Sequence, residues 1–321
     1  MVEPGQKPVS QELLQTIFAD RFSGRLQHGT PLKRYTAARL GGPADALLEV
    51  QSVEELAEAV RLAWENEVAF VILGGGSNVL VSDAGVRGLV LVNKARAIRF
   101  DENAETPGVW AESGANFGLL ARQVAQRGLA GLEWAVSVPG TLGGAIVGNA
   151  GAHGSDMSAS LWLAEILHRI PAGDAGCAQC ETWPVEKFEY SYRSSWLKRS
   201  PGKAIVLSAI LHLTQSSPEA VQAKMEEFVN YRKRTQPAGA SLGSMFKNPP
   251  GDYAGRLIEA AGLKGARSGD VEISPVHANF FVNGGQAMAA HVYQLIQLAR
   301  QTVADKFGVE LELEIELLGE W

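Results

Sequence analysis

Cysteine is nearly missing from this chain. Two in 321 residues, Cys177 and Cys180, exclude the disulfide framework of a small secreted domain and point to a reducing compartment, here the cytoplasm. Cys-Ala-Gln-Cys also falls short of the roughly four ligands of a structural zinc, because no Cys/His pair follows at usable spacing. The pair reads as incidental to a hairpin tip between Pro171 and Glu181, with a redox role as the alternative. Positive charge is short as well. Against 35 Asp and Glu stand 29 Lys and Arg, a formal net charge of −6, so no global basic field draws the protein to nucleic acid or an anionic membrane. No apolar run approaches the ~20 residues of a spanning helix, and MVEPGQKPVSQELLQTIF holds no apolar core behind a positive charge. The six histidines are scattered, and no His/Asp/Glu spacing implies a metal.

What is present is a globular chain unusually rich in tight turns. Hydrophobic residues make up 46% and charged residues 20%, and there are 35 glycines, well above the usual share of about 7%. At roughly 100–200 residues per domain, two or three units are expected. Ser52-Val53-Glu54-Glu55 matches a capping box ahead of a helix that ends near Asn66. A short apolar strand, residues 68–73, then runs into Gly74-Gly75-Gly76-Ser77-Asn78. Asn116 reads as the cap of a helix closing at Gly128, and Ser217-Pro218 as the start of another. Between Gly128 and Gly154, eight glycines and a proline argue against a regular helix. Residues 160–215 read as strands of one mixed sheet layer, and residues 310–318 as a last strand alternating apolar residues with glutamate.

Two glycine clusters carry the first chemical signal. A Gly loop after a buried strand lets bare backbone N–H groups surround a phosphate. The loop at 74–78 is neither a dinucleotide fingerprint nor a Walker loop, so alone it is equally a plain tight turn. Pro139-Gly140-Thr141-Leu142-Gly143-Gly144-Ala145 with Asn149-Ala150-Gly151 adds a second cluster, and two such loops suit a diphosphate held along its length.

Gly41-Gly42-Pro43-Ala44-Asp45, LGGGSNVLVSD at 73–83, PGTLGGAIVGNAG at 139–151, Tyr192-Arg193-Ser194-Ser195, GSMFKNPPGDYAGRLIEAAGLKG at 243–265 and His277-Ala278-Asn279-Phe280 follow in that order. Over residues 30–321 the chain resembles the UDP-N-acetylenolpyruvoylglucosamine reductase family, in its shorter type without the extra substrate-loop insertion. Two departures stand out: His153 where tyrosine is common, and Gly269-Asp270-Val271 for a usual Gly-Gly-Ala. The resemblance implies an α+β, three-domain FAD-binding fold of the vanillyl-alcohol-oxidase/PCMH type with a C-terminal α+β substrate-binding domain. The units are expected at residues 1–95 with 312–321, at 96–215, and at 216–311. It further implies noncovalent FAD, NADPH as hydride donor, a UDP-sugar enolpyruvyl substrate in peptidoglycan precursor synthesis, and a monomer that binds neither nucleic acid nor membrane.

By that resemblance Arg193 grips the enolpyruvyl carboxylate, Ser244 donates a proton to the carbanion, and Glu314 assists beside the developing charge. Taken alone, each has a bland reading: a surface ion pair, a turn serine, and one of three solvated glutamates with Glu312 and Glu316. Gly74, Gly75, Gly76, Ser77, Asn78, Pro139, Gly140, Thr141, Gly143, Gly144, Ala145 and Asn149 are assigned to FAD, and Asn248 with Lys247 to the substrate. Arg232, Lys233 and Arg234 form a basic cluster that suits an anionic ligand but reads first as a charged helix end, and His277 and Asn279 read equally as core partners or ligand contacts. A flavin oxidase of the same fold and a non-catalytic nucleotide-binding protein are the competing readings.

Overall fold

The computed structural model describes residues 10–101, 105–173 and 176–321. Ser52 caps the Val53–Glu65 helix by accepting from the Glu55 N–H. Glu55 does not close the box on Ser52. Its carboxylate accepts from the Gln51 N–H at 2.8 Å and from Arg25 at 2.6 Å. The helix buries Leu56, Val60, Ala63 and Trp64 over a four-stranded sheet. That sheet runs Gln27–Pro31, Pro43–Val50, Val86–Asn93, Phe70–Leu73, the first pair antiparallel and the others parallel. The central strands are covered on both faces, which is why 86–93 reads as an almost unbroken apolar run. At the end of Phe70–Leu73 the chain turns into the Gly74–Asn78 loop.

A second sheet has five strands in the order Gly176–Pro184, Leu161–Gly173, Ala204–His212, Gly108–Glu112, Ile98–Asp101. It is antiparallel throughout, not mixed. The link between Leu161–Gly173 and Gly176–Pro184 is far too short for a parallel crossover. Both cysteines lie along the second strand of this hairpin instead of at its tip, whose residues 174–175 are outside the described residues. Cys177 is buried against the Val53–Glu65 helix and Cys180 is exposed. On the other face of the sheet, Phe117, Leu120 and Val124 of the Phe117–Gln126 helix fill the core, with Asn116 as the cap.

Glycine does not prevent a helix between residues 128 and 154. Leu142–Gly148 is helical, capped by Thr141, and glycine is what seats it: a Cβ on Gly143 would stand 2.9 Å from Ser113 Cβ. The Pro218–Thr235 helix, placed with the third unit on sequence grounds, buries Val221 and Met225 in the second core. A third core is built from the Ala254–Ala260 and Ala289–Phe307 helices and an antiparallel sheet of Arg267–Ser268, Val271–Ile273 and Phe281–Asn283. Asp83 accepts from the N–H groups of Ala289 and Ala290, both at 2.9 Å, and so caps a third-core helix from the turn after Val79–Val81. Only Glu316–Leu318 of the expected last strand joins a ladder, parallel to Val79–Val81. Residues 312–314 instead lie along the 245–247 segment, through the Phe246/Leu313 bridge and backbone bonds on either side of it.

Candidate active site

The two glycine loops meet face to face. A Cβ on Gly75 would lie 2.7 Å from Gly140 Cα, and one on Gly140 would lie 2.7 Å from Ser77 Oγ. On Gly76, at φ +58°, it would run into the Tyr35 carbonyl oxygen, and on Gly74 into the Thr141 hydroxyl. Ser77 Oγ donates to the Pro139 carbonyl at 3.3 Å. Among the described residues, the N–H groups of Gly75, Gly76 and Ser77 have no protein acceptor. These are the features a diphosphate cradle requires: unpaired donors and no side chain in the way. They fit FAD. Gly143 and Ala145, by contrast, already donate to the carbonyls of Ser113 at 2.8 Å and Thr141 at 2.9 Å, so they shape the loop and offer no free N–H.

The Asn149 side chain is engaged within the protein. It is buried in the left-handed conformation that ends the Leu142–Gly148 helix. Its amide donates to Ser191 O at 3.0 Å and its oxygen accepts from the Ser158 N–H at 3.2 Å. The side chain therefore braces the neighbouring 191–194 turn. Asn78 is engaged as well, donating from its amide to the Glu314 carbonyl at 3.1 Å.

Arg193 sits at the tip of that turn, closed by reciprocal Ser191/Ser194 backbone bonds, at φ +54°. A side chain other than glycine pays sterically to stand there. Its Nε donates to Glu314 Oε1 at 2.7 Å and its Nη2 to the Gly151 carbonyl at 2.9 Å. The guanidinium also lies 5.3 Å from the Tyr192 ring centroid. The Glu314 N–H donates to Met245 O at 2.9 Å, so the segment carrying Ser244 runs directly beside Glu314. The Ser244 hydroxyl, half-buried, makes no hydrogen bond to the protein among the described residues.

The three alternating glutamates are not a solvated edge. Glu312 pairs with Lys247, Glu314 with Arg193 and Glu316 with Lys198. Their side chains are 71%, 17% and 35% exposed respectively, which singles out Glu314 as the enclosed member. Lys247 is thus paired across the rim. Asn248 accepts from the Ala254 N–H at 3.1 Å, while its own N–H reaches the Tyr192 hydroxyl at 3.5 Å.

Arg232 is no free helix end. It donates to the Ser137 carbonyl, and burial pulls its guanidinium below the ordinary value. His153 stacks on Phe228 at 4.1 Å between centroids, and burial, aided by the Arg232 charge, holds it below the usual histidine range. His277 accepts from the Asn279 N–H through Nδ1, Asn279 bonds both ways with Phe246, and burial lowers His277 too. Both are core partners. The Gly269-Asp270-Val271 departure forms a turn in which Asp270 accepts from the Gln286 N–H. Among the described residues no His/Cys/Asp/Glu group could hold a metal, and no helix is long and apolar enough to cross a membrane.

Comparison with known proteins agrees with this geometry. The FAD binding domain family matches residues 44–164, and the UDP-N-acetylenolpyruvoylglucosamine reductase C-terminal domain family matches residues 235–318. The UDP-N-acetylenolpyruvoylglucosamine reductase of Rubrobacter xylanophilus is 46% identical over 292 residues, 90% of this chain and 94% of that protein. That of Chloroflexus aggregans is 43% identical over 297 residues, covering 91% and 97%. The crystal structure of the Thermus caldophilus reductase superposes with a TM-score of 0.76 at 35% identity, covering 92% of this chain and 99% of that one. The mixed α+β FAD-binding architecture with its C-terminal domain, and these relatives across nearly the full length, establish that the chain belongs to the UDP-N-acetylenolpyruvoylglucosamine reductase family.

Proposed function

We propose that this chain reduces UDP-N-acetyl-3-O-(1-carboxyvinyl)glucosamine to UDP-N-acetylmuramate with NADPH, using Arg193, Ser244 and Glu314. Gly74, Gly75, Gly76, Ser77, Pro139, Gly140 and Thr141 would hold FAD noncovalently, while Gly143, Gly144 and Ala145 shape the second loop. When bound, FAD supplies a carrier that takes hydride from NADPH and passes it to the vinyl carbon of the substrate. Hydride addition leaves an electron pair on the adjacent carbon, spread onto the carboxylate. Arg193, permanently charged and planar, is suited to hold that carboxylate. The Ser244 hydroxyl, without a hydrogen-bond partner among the described residues, gives the carbon its proton. Glu314 orients the guanidinium until substrate arrives. Once the carboxylate has taken over Arg193, Glu314 is left beside the developing charge, and in this reading its carboxyl serves there as a hydrogen-bond partner. Lys247 and Asn248 border the substrate side.

The observation that carries this reading is the 2.7 Å Arg193–Glu314 contact, with Glu314 bonded in turn to Met245 beside Ser244. We further assign the units as a first through residue 95 with 316–321, a second from 96 through the Pro218–Thr235 helix, and a third from there to residue 315, acting as a cytoplasmic monomer without nucleic acid. The net charge of −6 supports the last point. The test is anaerobic. NADPH should bleach the yellow protein, and the enolpyruvyl sugar should restore its colour. Recovery of colour with oxygen but not with the sugar would overturn the reading in favour of an oxidase.

A further inference from the structure

Glu314 is held from three directions: its N–H by Met245 O, its carboxylate by Arg193, and its carbonyl by the Asn78 amide at 3.1 Å. Asn78 contributes twice, because its own carbonyl accepts from the Glu316 N–H at 2.8 Å. The two bonds bracket a three-residue stretch whose middle member, Ile315, is fixed in the third core. Between them they set the backbone course at Glu314 and hence the direction in which its carboxyl leaves the chain. Asn78 is also the last residue of the glycine loop fitted to FAD. A single side chain therefore ties the cofactor loop to the acid that serves the second half of the reaction.

We propose that Asn78 is a positioning residue for Glu314, acting on the substrate half-reaction through that carbonyl instead of gripping the cofactor with its amide. The inference rests on the assignment of Glu314 above. Losing the amide frees the Glu314 carbonyl and lets the carboxyl drift, and a misplacement of about 1 Å at a reacting group costs on the order of 10²-fold in rate.

The experiment uses the FAD-loaded enzyme with Asn78→Ala and Asn78→Asp. The second keeps the shape but turns an oxygen toward the carbonyl, so it keeps the question answerable if the alanine variant folds poorly. In both, FAD affinity and anaerobic bleaching by NADPH should stay within about twofold of the parent, while recovery of colour with the enolpyruvyl sugar slows by about 10- to 100-fold. In an Asn78→Ala, Glu314→Ala double variant the loss should be close to that of Glu314→Ala alone, because the two substitutions remove one function. Weakened FAD binding with equal slowing of both halves overturns the inference, as does full additivity in the double variant. If Glu314→Gln and Glu314→Ala both reoxidise at the parent rate, the assignment of Glu314 itself fails and takes this inference with it, an outcome distinct from additivity on a Glu314 defect.

Discussion

Substituting Gly75 by alanine tests the cofactor cradle where it is tightest. The new Cβ would lie 2.7 Å from Gly140 Cα, whereas non-bonded carbons rest at about 3.5–4.0 Å. The loops must therefore part by about 1 Å. Nothing can rotate aside, because the atom met is backbone on a residue that has no side chain. Overpacking of this kind costs typically about 1–3 kcal/mol, and if the parted loops pass that cost to the ligand, FAD binds roughly 5- to 150-fold more weakly. Titrating the apoprotein with FAD and following flavin fluorescence measures this directly. Gly148→Ala is the control, since a Cβ there meets nothing within 4 Å. Equal FAD affinity in Gly75→Ala and Gly148→Ala would refute the reasoning, because loops that separate freely are not a preformed cradle.

Ser244→Ala should leave bleaching by NADPH intact and slow recovery of colour by about 10²–10⁴-fold, the usual loss of one placed acid; stopped-flow absorbance separates the halves, and equal slowing would make Ser244 structural. Glu314→Gln, which keeps a hydrogen-bond partner, should retain more substrate turnover than Glu314→Ala, with Glu316→Gln near the parent; steady-state rates that rank Glu314→Ala beside Glu316→Gln would return Glu314 to a mere ion pair. Arg193→Gly and Arg193→Ala should both lose the substrate half-reaction, yet the glycine variant should be about 1 kcal/mol the more stable in urea, because only glycine stands at φ +54° without strain. His153, His168 and His277 are each depressed below 6.5 by burial first. Unfolded histidines therefore take up protons before the folded ones do, so their contribution is present above about pH 6.5 and is lost as the pH falls through the lower folded values. Melting temperatures should drop on acidification across that window, and His277→Asn should flatten the slope; an unchanged slope would mean that His277 contributes nothing to it.

Local features were legible in the sequence. Ser52, Asn116 and Ser217 cap the helices expected of them because a cap is decided within about three residues. The Gly-Gly loops could be recognised as loops, but not as facing each other: Gly75 and Gly140 touch only because two different sheets bring them together. The bracing bonds of Asn149 were hidden for the same reason. Its partners Ser191 and Ser158 belong to other elements, and nothing near residue 149 announces them. The glutamate alternation at 312–316 was visible, but its meaning rests on Arg193, 121 residues away, and on Lys198 and Lys247. Asn78 and Asp83 lay inside a motif already singled out, yet their side chains reach the third core, a relation no spacing rule encodes. Where helix-breaking composition argued against order at 142–148, the close approach of Gly143 to Ser113 outweighed propensity.

The parallel pairing of Glu316–Leu318 with Val79–Val81 has a consequence for the order in which a growing chain becomes an enzyme. Synthesis runs from the amino end, and domains fold as their residues emerge. The glycine loop and most of the first sheet are made early, but the segment that Asn78 grips lies 236 residues later. Until that segment is out of the ribosome, Arg193 has no Glu314 and Val79–Val81 has no neighbour along one side. A nascent chain can therefore assemble a cofactor cradle before it can assemble an acid for the substrate. Chemistry at the sugar waits for that later segment.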